Sequence, residues 1–437
     1  MVECGATRAK GLIVAAPSSG SGKTTATLGL IAALRRRGLK VAAAKTGPDY
    51  IDPQFLAAAA EAPCLTLDAW ATPRETLRGR FAQLAYDKDI VVVEGVMGLF
   101  DGAEGGGGST ADLAELLDLP VVLVIDASRH AQSIAAVAHG FATFRNGLPL
   151  AGVIATRVGS DRHAAMIEGA LATTAAPYLG FIAGDAELQI ASRHLGLVQA
   201  QERAQLARLV DRASLAVAAN VDLDRLLDVS RPVTGDGQVR QLQPLGQRIA
   251  VAYDVAFGFL YPHLLEDWRG QGAEIEVFSP LADEAPPVDC DAVFLPGGYP
   301  ELHAESIAGA VKFLDGVRAA SDRGAVVYGE CGGYMVLGKA LIDAEGHQHQ
   351  MLDLLGHVTS FARRQRHLGY RKLETLASAP LPAQLRGHEF HYSTLTETGG
   401  DPPLFRARDS ADRDLGEIGG QRGRVFGSYA HIIDGDW

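Results

Sequence analysis

Cysteine is scarce: four residues in 437, Cys4, Cys64, Cys290 and Cys331, lie far apart and form no C-x-x-C pair. Neither a disulfide framework nor a zinc cluster is indicated, and a reducing cytoplasm fits best. Long apolar runs are missing too. "GLIVAA" behind Arg8 and Lys10 faintly looks like a signal-peptide core, but it is too short and passes straight into a glycine loop. No other stretch approaches the roughly 18 to 20 apolar residues that span a bilayer. A soluble, unexported protein with no membrane partner is therefore expected. Positive charge is short as well, 40 Lys and Arg against 52 Asp and Glu, for a net charge of -12. That argues against a nucleic-acid partner while leaving room for a local basic pocket that takes an anionic substrate. A fixed-period repeat is also missing.

What is present is ordinary globular composition, 47% hydrophobic and 21% charged, in a chain long enough for two substantial domains. In the first half, short apolar runs such as "GLIVAAP", "KVAAAKT", "DIVVVEG" and "LPVVLVID" alternate with amphipathic stretches. This pattern predicts a mostly parallel sheet with helices on both faces and ligands at the carboxyl ends of its strands. The polar, Gly-, Pro- and Gln-rich residues 221–247 read as a linker. Alternation restarts at "RIAVAYD", giving expected domains of 1–220 and 248–437, the second α/β at first and strand-rich past residue 350.

"APSSGSGKTT" carries a phosphate loop in which Pro17 replaces the first glycine of the pattern. Gly20, Ser21, Gly22, Lys23, Thr24 and Thr25 are the expected ATP-binding residues: backbone N–H groups face phosphate oxygens, Lys23 reaches the β/γ-phosphates and Thr24 a magnesium ion. Glu94 ends the strand "DIVVVEG", where a magnesium-linked carboxylate belongs. Asp49 and Asp52 in "KTGPDYIDP" and Asp101 in "EGVMGLFDG" add three acids at neighbouring strand ends. Four such carboxylates repel one another unless a cation neutralises them, and metal-nucleotide is the economical explanation. Thr24, Asp49 and Glu94 are the expected Mg2+ ligands. The loop 102–110 is either a mobile cover or a plain turn.

"AVVYGECGGYM" sets Cys331 at a strand-to-helix elbow, where a helix N-terminus is expected to lower the thiol pKa. Cys4, Cys64 and Cys290 read as core residues. Gly297 and Gly298 in "VFLPGGYPE", with the amide of Gly332, could form an oxyanion hole. The candidate bases are His388, His391 and His431; the last follows the strand-like "RVFGSY" near the chain end.

Through "SSGSGKTT", "KTGPDYIDP", "EGVMGLFDG", "SRHLGLV", "PGGYPE", "YGECGGYM" and "GHEFHYS", essentially the whole chain resembles the cobyrinic or hydrogenobyrinic acid a,c-diamide synthases. These join a dethiobiotin-synthetase-like P-loop domain to a class I glutamine amidotransferase α/β domain. The resemblance implies ATP- and glutamine-dependent amidation of the a and c acetates of a corrinoid substrate through acyl phosphates. It casts Cys331 as nucleophile and His431 as its base. Asp49, Asp52, Glu94 and Asp101 orient ATP, metal and substrate, and Arg193 and His194 of "SRHLGLV" are partners for the anionic substrate or part of a solvated loop. A homodimer is compatible with all of this.

Two positions depart from the family pattern. Ile433 stands two residues after His431 where class I glutaminases carry an acid, and Thr156 replaces an asparagine expected to contact the base. "FARRQRHLGYR" reads as a charged surface stretch. Cobyric acid synthase and nickel-sirohydrochlorin a,c-diamide synthase are the neighbouring alternatives. A partner-binding switch ATPase would need a membrane or DNA anchor, and no basic amphipathic tail offers one.

Overall fold

The structure, a computed structural model, describes residues 9–188, 200–235, 237–376 and 378–436. Its first sheet contains β1 (Lys10–Ala15), β2 (Val41–Thr46), β3 (Cys64–Leu67), β4 (Ile90–Glu94), β5 (Val121–Asp126), β6 (Leu150–Val158) and β7 (Tyr178–Ala183), in the order β3-β2-β4-β1-β5-β6-β7. These strands are all parallel. Helices cover both faces, which is why β4 reads as an unbroken apolar run up to its terminal acid: all five residues are buried. Register then sets Glu94 beside Lys45 on one side and Val14 on the other. The loop leaving β1 is thereby placed among acidic strand ends.

The segment expected as a linker is partly structured. Leu223–Val229 is a helix capped by Asp222, whose carboxylate accepts the Arg225 N–H at 2.9 Å, and β8 (Arg231–Pro232) pairs antiparallel with β1. Leu223 and Leu226 are buried in the first domain's core. A seven-residue helix is too short to write an amphipathic period into the sequence. The described residues from 233 to 247 carry neither helix nor strand.

The second half begins with β9 (Arg248–Ala252), β10 (Glu274–Phe278), β11 (Ala292–Leu295) and β12 (Val326–Glu330). Next come β13 (Ala340–Ile342), β14 (Gln348–Gln350), β15 (Val358–Ser360), β16 (His367–Thr375), β17 (Gln384–His391), β18 (Thr394–Glu397), β19 (Phe405–Arg408), β20 (Asp414–Ile418), β21 (Gly420–Arg422), β22 (Val425–Ser428) and β23 (Ala430–Gly435). They sort into a six-stranded sheet β10-β9-β11-β12-β22-β21, parallel except at β21, and two smaller sheets, β14-β13-β15-β18 and the antiparallel β20-β19-β16-β17-β23. Between β22 and β23 the chain changes sheets, carrying His431 toward the end of β12.

The two halves share a core. Tyr50, Trp70 and Ala71 from the first are buried in a cluster with Phe259, Tyr261 and Ile432 of the second. Beside it Arg80, 4% exposed, bridges Asp267 at 2.8 Å and Asp434 at 2.9 Å. Among the described residues no helix is long and apolar enough to cross a membrane.

Candidate active sites on either side of one cleft

At the end of β1 the loop holds Gly20 at φ 82° and Gly22 at φ 81°, the left-handed region that glycine occupies at no steric cost. Pro17 stands at neither of these positions, so the missing glycine does not break the turn. The helix Lys23–Arg36 follows without a side-chain cap, leaving its first N–H groups for an anion. Thr156 is buried and donates its hydroxyl to the Ser21 carbonyl at 2.7 Å. It props the loop from below, and Arg157 donates to the Gly20 carbonyl at 2.7 Å. A pocket of about 680 Å³ opens here, lined by Gly20, Gly22, Lys23, Thr24, Asp52 and Arg157.

Three of the four expected acids converge on a buried cation. Lys45, 1% exposed, has its Nζ 2.6 Å from Glu94 Oε1, 2.6 Å from Asp52 Oδ2 and 3.7 Å from Asp49 Oδ2. Burial works against the ammonium, but Glu94, Asp49 and Asp52 outweigh it and hold its pKa above the ordinary lysine value. Thr24 donates to Glu94 Oε1 at 2.9 Å and to Asp52 Oδ2 at 3.4 Å. Glu94 Oε2 is buried without a hydrogen-bond partner among the described residues. Hard oxygen donors around an unsatisfied carboxylate oxygen fit a magnesium ion. Of the two aspartates, Asp49 has its Oδ1 taken by the N–H groups of Ile51 and Asp52, at 2.8 and 3.1 Å. Asp101 stands apart, exposed, its carboxylate accepting the Gly98 N–H at 2.8 Å.

Cys331 follows β12 at φ 45° and ψ -105°, a strained conformation costing about 1–3 kcal/mol and typical of a nucleophile elbow. Its thiol faces the Phe390 carbonyl at 3.8 Å. His431 is buried, and neither ring nitrogen has a hydrogen-bond partner among the described residues. A methyl group on Gly297 would lie 2.2 Å from His431 Cε1, 2.9 Å from Nε2 and 3.2 Å from Cys331 Cβ, so only glycine fits between the two. A methyl on Gly332 would lie 3.0 Å from the Gly298 nitrogen, so two of the three expected oxyanion donors come from closely packed residues.

Burial, then Glu301, pushes the Cys331 thiol up, the reverse of the expected helix effect; the Gly332 N–H pulls back only in part. Burial, then His388 and His391, lowers His431 to about 3, so the resting pair is thiol and neutral imidazole. His391 is otherwise engaged, with Nδ1 at 2.9 Å from Ser393 Oγ and Nε2 at 2.8 Å from Glu389 Oε1. With Ile433 in the position where an acid is expected, the carboxylate nearest His431 Nδ1 in the ion-pair geometry is Glu330, its Oε2 at 3.8 Å.

Between the two centres runs a cleft of about 700 Å³, lined by Asp49, Tyr50, Ile51 and Met97 of the first half and by Leu368, Tyr370, Arg371, His388, Phe390 and Arg413 of the second. The loop 102–110 forms part of its wall through Gly102, Ala103, Glu104 and Gly108, and Glu104 pairs with Arg413. Arg371 leaves the surface role expected for its stretch: it is largely buried and pairs with Glu389 at 2.7 Å.

Residues 12–198 match the family model of the CobQ/CobB/MinD/ParA nucleotide binding domain, and residues 248–436 that of the CobB/CobQ-like glutamine amidotransferase domain. The hydrogenobyrinate a,c-diamide synthase of Rhizobium meliloti (strain 1021) is 52% identical over 97% of this chain and 99% of its own length. That of Brucella abortus biovar 1 (strain 9-941) is 52% identical over 97% of this chain and 98% of its own length. The chain belongs to the hydrogenobyrinate a,c-diamide synthase family.

For this family member, sequence reasoning singled out Cys331, His431, the glycines and the P-loop as single residues; none of them lines the cleft, which is bordered instead by neighbours of each group, Asp49 and Phe390. Arg193 and His194 lie outside the described residues. Lys45, Glu330 and Tyr50 were missed, although each adjoins a motif already noticed: "KTGPDYIDP" contains two of them and "YGECGGYM" the third.

Proposed function

We propose that this protein converts two acetate carboxylates of hydrogenobyrinate to amides, with glutamine as nitrogen source and ATP as driving force. One observation carries the reading: a single cleft is lined by Asp49, which shares Lys45 with the nucleotide-side acids, and by Phe390, whose carbonyl faces the Cys331 thiol. The rim combines apolar Met97, Leu368 and Leu415 with Arg371 and Arg413, which suits a large, flat polycarboxylate.

His431 takes the proton of Cys331 and the sulfur attacks the glutamine carboxamide. The amides of Gly298 and Gly332 stabilise the oxyanion, His431 returns the proton to the departing ammonia, and water later releases glutamate. Across the cleft, P-loop amides and Lys23 hold the ATP phosphates, while Lys45 counters charge where a substrate carboxylate oxygen attacks the γ-phosphorus and ADP leaves. Ammonia then displaces phosphate from the acyl carbon; a carboxylate at neutral pH has no leaving group of its own. Thr24, Asp52 and Glu94 would hold Mg2+, which when bound neutralises charge on the phosphates.

The test offers hydrogenobyrinate, Mg-ATP and either glutamine or ammonium, and counts by mass the oxygens exchanged for NH. Two exchanges are expected. Cys331→Ser is expected to lose the glutamine-driven reaction and keep the ammonium-driven one; retained glutamine use would remove Cys331 from the mechanism.

A further inference from the structure

Three residues border both the cleft and the cysteine centre. Phe390, Tyr50 and His388 all line the cleft, and each also borders the cysteine centre. The Phe390 carbonyl faces the thiol, the Tyr50 ring lies 4.6 Å from the His431 ring, and His388 is the register partner of His431 across β17 and β23. Tyr50 is held there from three sides. It stacks on Phe259 at 5.1 Å, meets the tilted ring of Tyr261 at 4.8 Å, and accepts the Tyr261 hydroxyl at 2.6 Å. It belongs to the first half, between Asp49 and Asp52, so the loop that serves the nucleotide-side acids also closes the glutaminase centre.

His388 has a different character. It is 7% exposed, and its Nδ1 has no hydrogen-bond partner among the described residues. Burial, then the nearby Arg371 charge, lowers its pKa to about 4, so the ring is neutral at physiological pH. Such a ring neither repels ammonia nor protonates it, and in its Nε2–H tautomer it offers an unused acceptor. Ammonia released to bulk water would be protonated and lose the lone pair that must attack the acyl carbon.

Resting on the functional reading above, we infer that Tyr50 and His388 form the partition that ammonia crosses directly from Cys331 into the cleft, Tyr50 as its closing ring and His388 as a hydrogen-bond acceptor on the way. Ammonia lends an N–H to Nδ1 and keeps its lone pair; no covalent bond changes until the acyl carbon is reached.

The experiment supplies glutamine with a heavy-nitrogen amide, unlabelled ammonium kept below the level that supports amidation without glutamine, Mg-ATP and hydrogenobyrinate, and measures glutamate formed per amide and the label in the product. Both readouts are ratios within the same turnover, so a general loss of rate does not move them. The intact protein is expected to form one glutamate per amide and to carry the heavy label throughout. Tyr50→Ala and His388→Ala are expected to raise glutamate per amide severalfold and admit unlabelled nitrogen. Tyr50→Phe, which keeps the ring, and His388→Gln, which keeps an acceptor, should stay near the intact ratios. Wild-type ratios in both alanine variants, or free entry of unlabelled nitrogen in the intact protein, would overturn the partition. An intact protein that forms no amide from either nitrogen source overturns the functional reading itself.

Discussion

Glu330 Oε2 lies 3.8 Å from Nδ1 of His431 while its other oxygen accepts from the Tyr328 hydroxyl at 2.9 Å and the Ile432 N–H at 3.0 Å. The carboxyl is thus fixed by its Oε1 with Oε2 nearest Nδ1, while Nε2 is the imidazole nitrogen on the Gly297 side of the ring. Burial raises its pKa to about 8, and an imidazolium formed beside it favours the ionised form. Glu330→Gln is expected to lower glutamine hydrolysis by about ten- to a hundredfold, less than loss of a closely hydrogen-bonded triad acid. Ammonium-driven amidation should persist. Steady-state glutamate release checks this, and an unchanged kcat for Glu330→Gln removes the carboxyl from the catalytic chain.

The helix behind the nucleophile makes folding stability sensitive to acid. His357 is buried, stacks on Tyr334 at 4.1 Å and shares Nε2 with the Tyr334 carbonyl at 3.0 Å. Burial lowers its pKa from 6.5 to about 4, the Tyr334 carbonyl restoring only part. Between those values the unfolded chain binds a proton that the folded chain refuses, so stability is full above about pH 6.5 and falls as pH drops toward 4, by roughly 3 kcal/mol for this group. His388 and His431, lowered to about 4 and about 3, act in the same direction. Urea midpoints measured from pH 7 to 4 should fall in the intact protein, and the slope should drop by one proton in His357→Gln. Parallel slopes would refute the assignment.

How much of this was legible depended on whether a residue's partner was near in sequence. The strands of the first sheet were readable because burial on both faces writes an unbroken apolar run such as "IVVVE". The elbow at Cys331 was readable because strand, nucleophile and glycines are consecutive. Lys45 was not, since a lysine closing an apolar strand looks like a solvated end until register sets it against Glu94, 49 positions away. Thr156 looked like a lost base contact, yet its hydroxyl supports a loop 135 positions earlier. Glu330 adjoins Cys331 in sequence but stands beside His431 in space, a relation created only when β22 and β23 bring the chain end back to β12. The short helix at Leu223–Val229 escaped for want of a full amphipathic repeat.

Lys45 is the inner counter-charge for Asp49, Asp52 and Glu94, and removing it should expose how that cluster is kept together. Lys45→Met retains the aliphatic stem and deletes the ammonium, leaving Lys23 as the cation that still acts on Asp52 and Glu94. Breaking a buried ion cluster from one side typically costs about 3–5 kcal/mol. Because Glu94 Oε2 is already without a partner and Thr24 lies beside it, magnesium is expected to recover part of that loss. The melting temperature of Lys45→Met should therefore rise more on adding magnesium in place of a chelator than that of the intact protein. Amidation should fall with glutamine and with ammonium alike, while glutaminase turnover at Cys331 continues. A variant whose melting ignores magnesium would exclude Thr24, Asp52 and Glu94 as the ion's site, and one that still amidates at the intact rate would exclude Lys45 from the phosphoryl-transfer step.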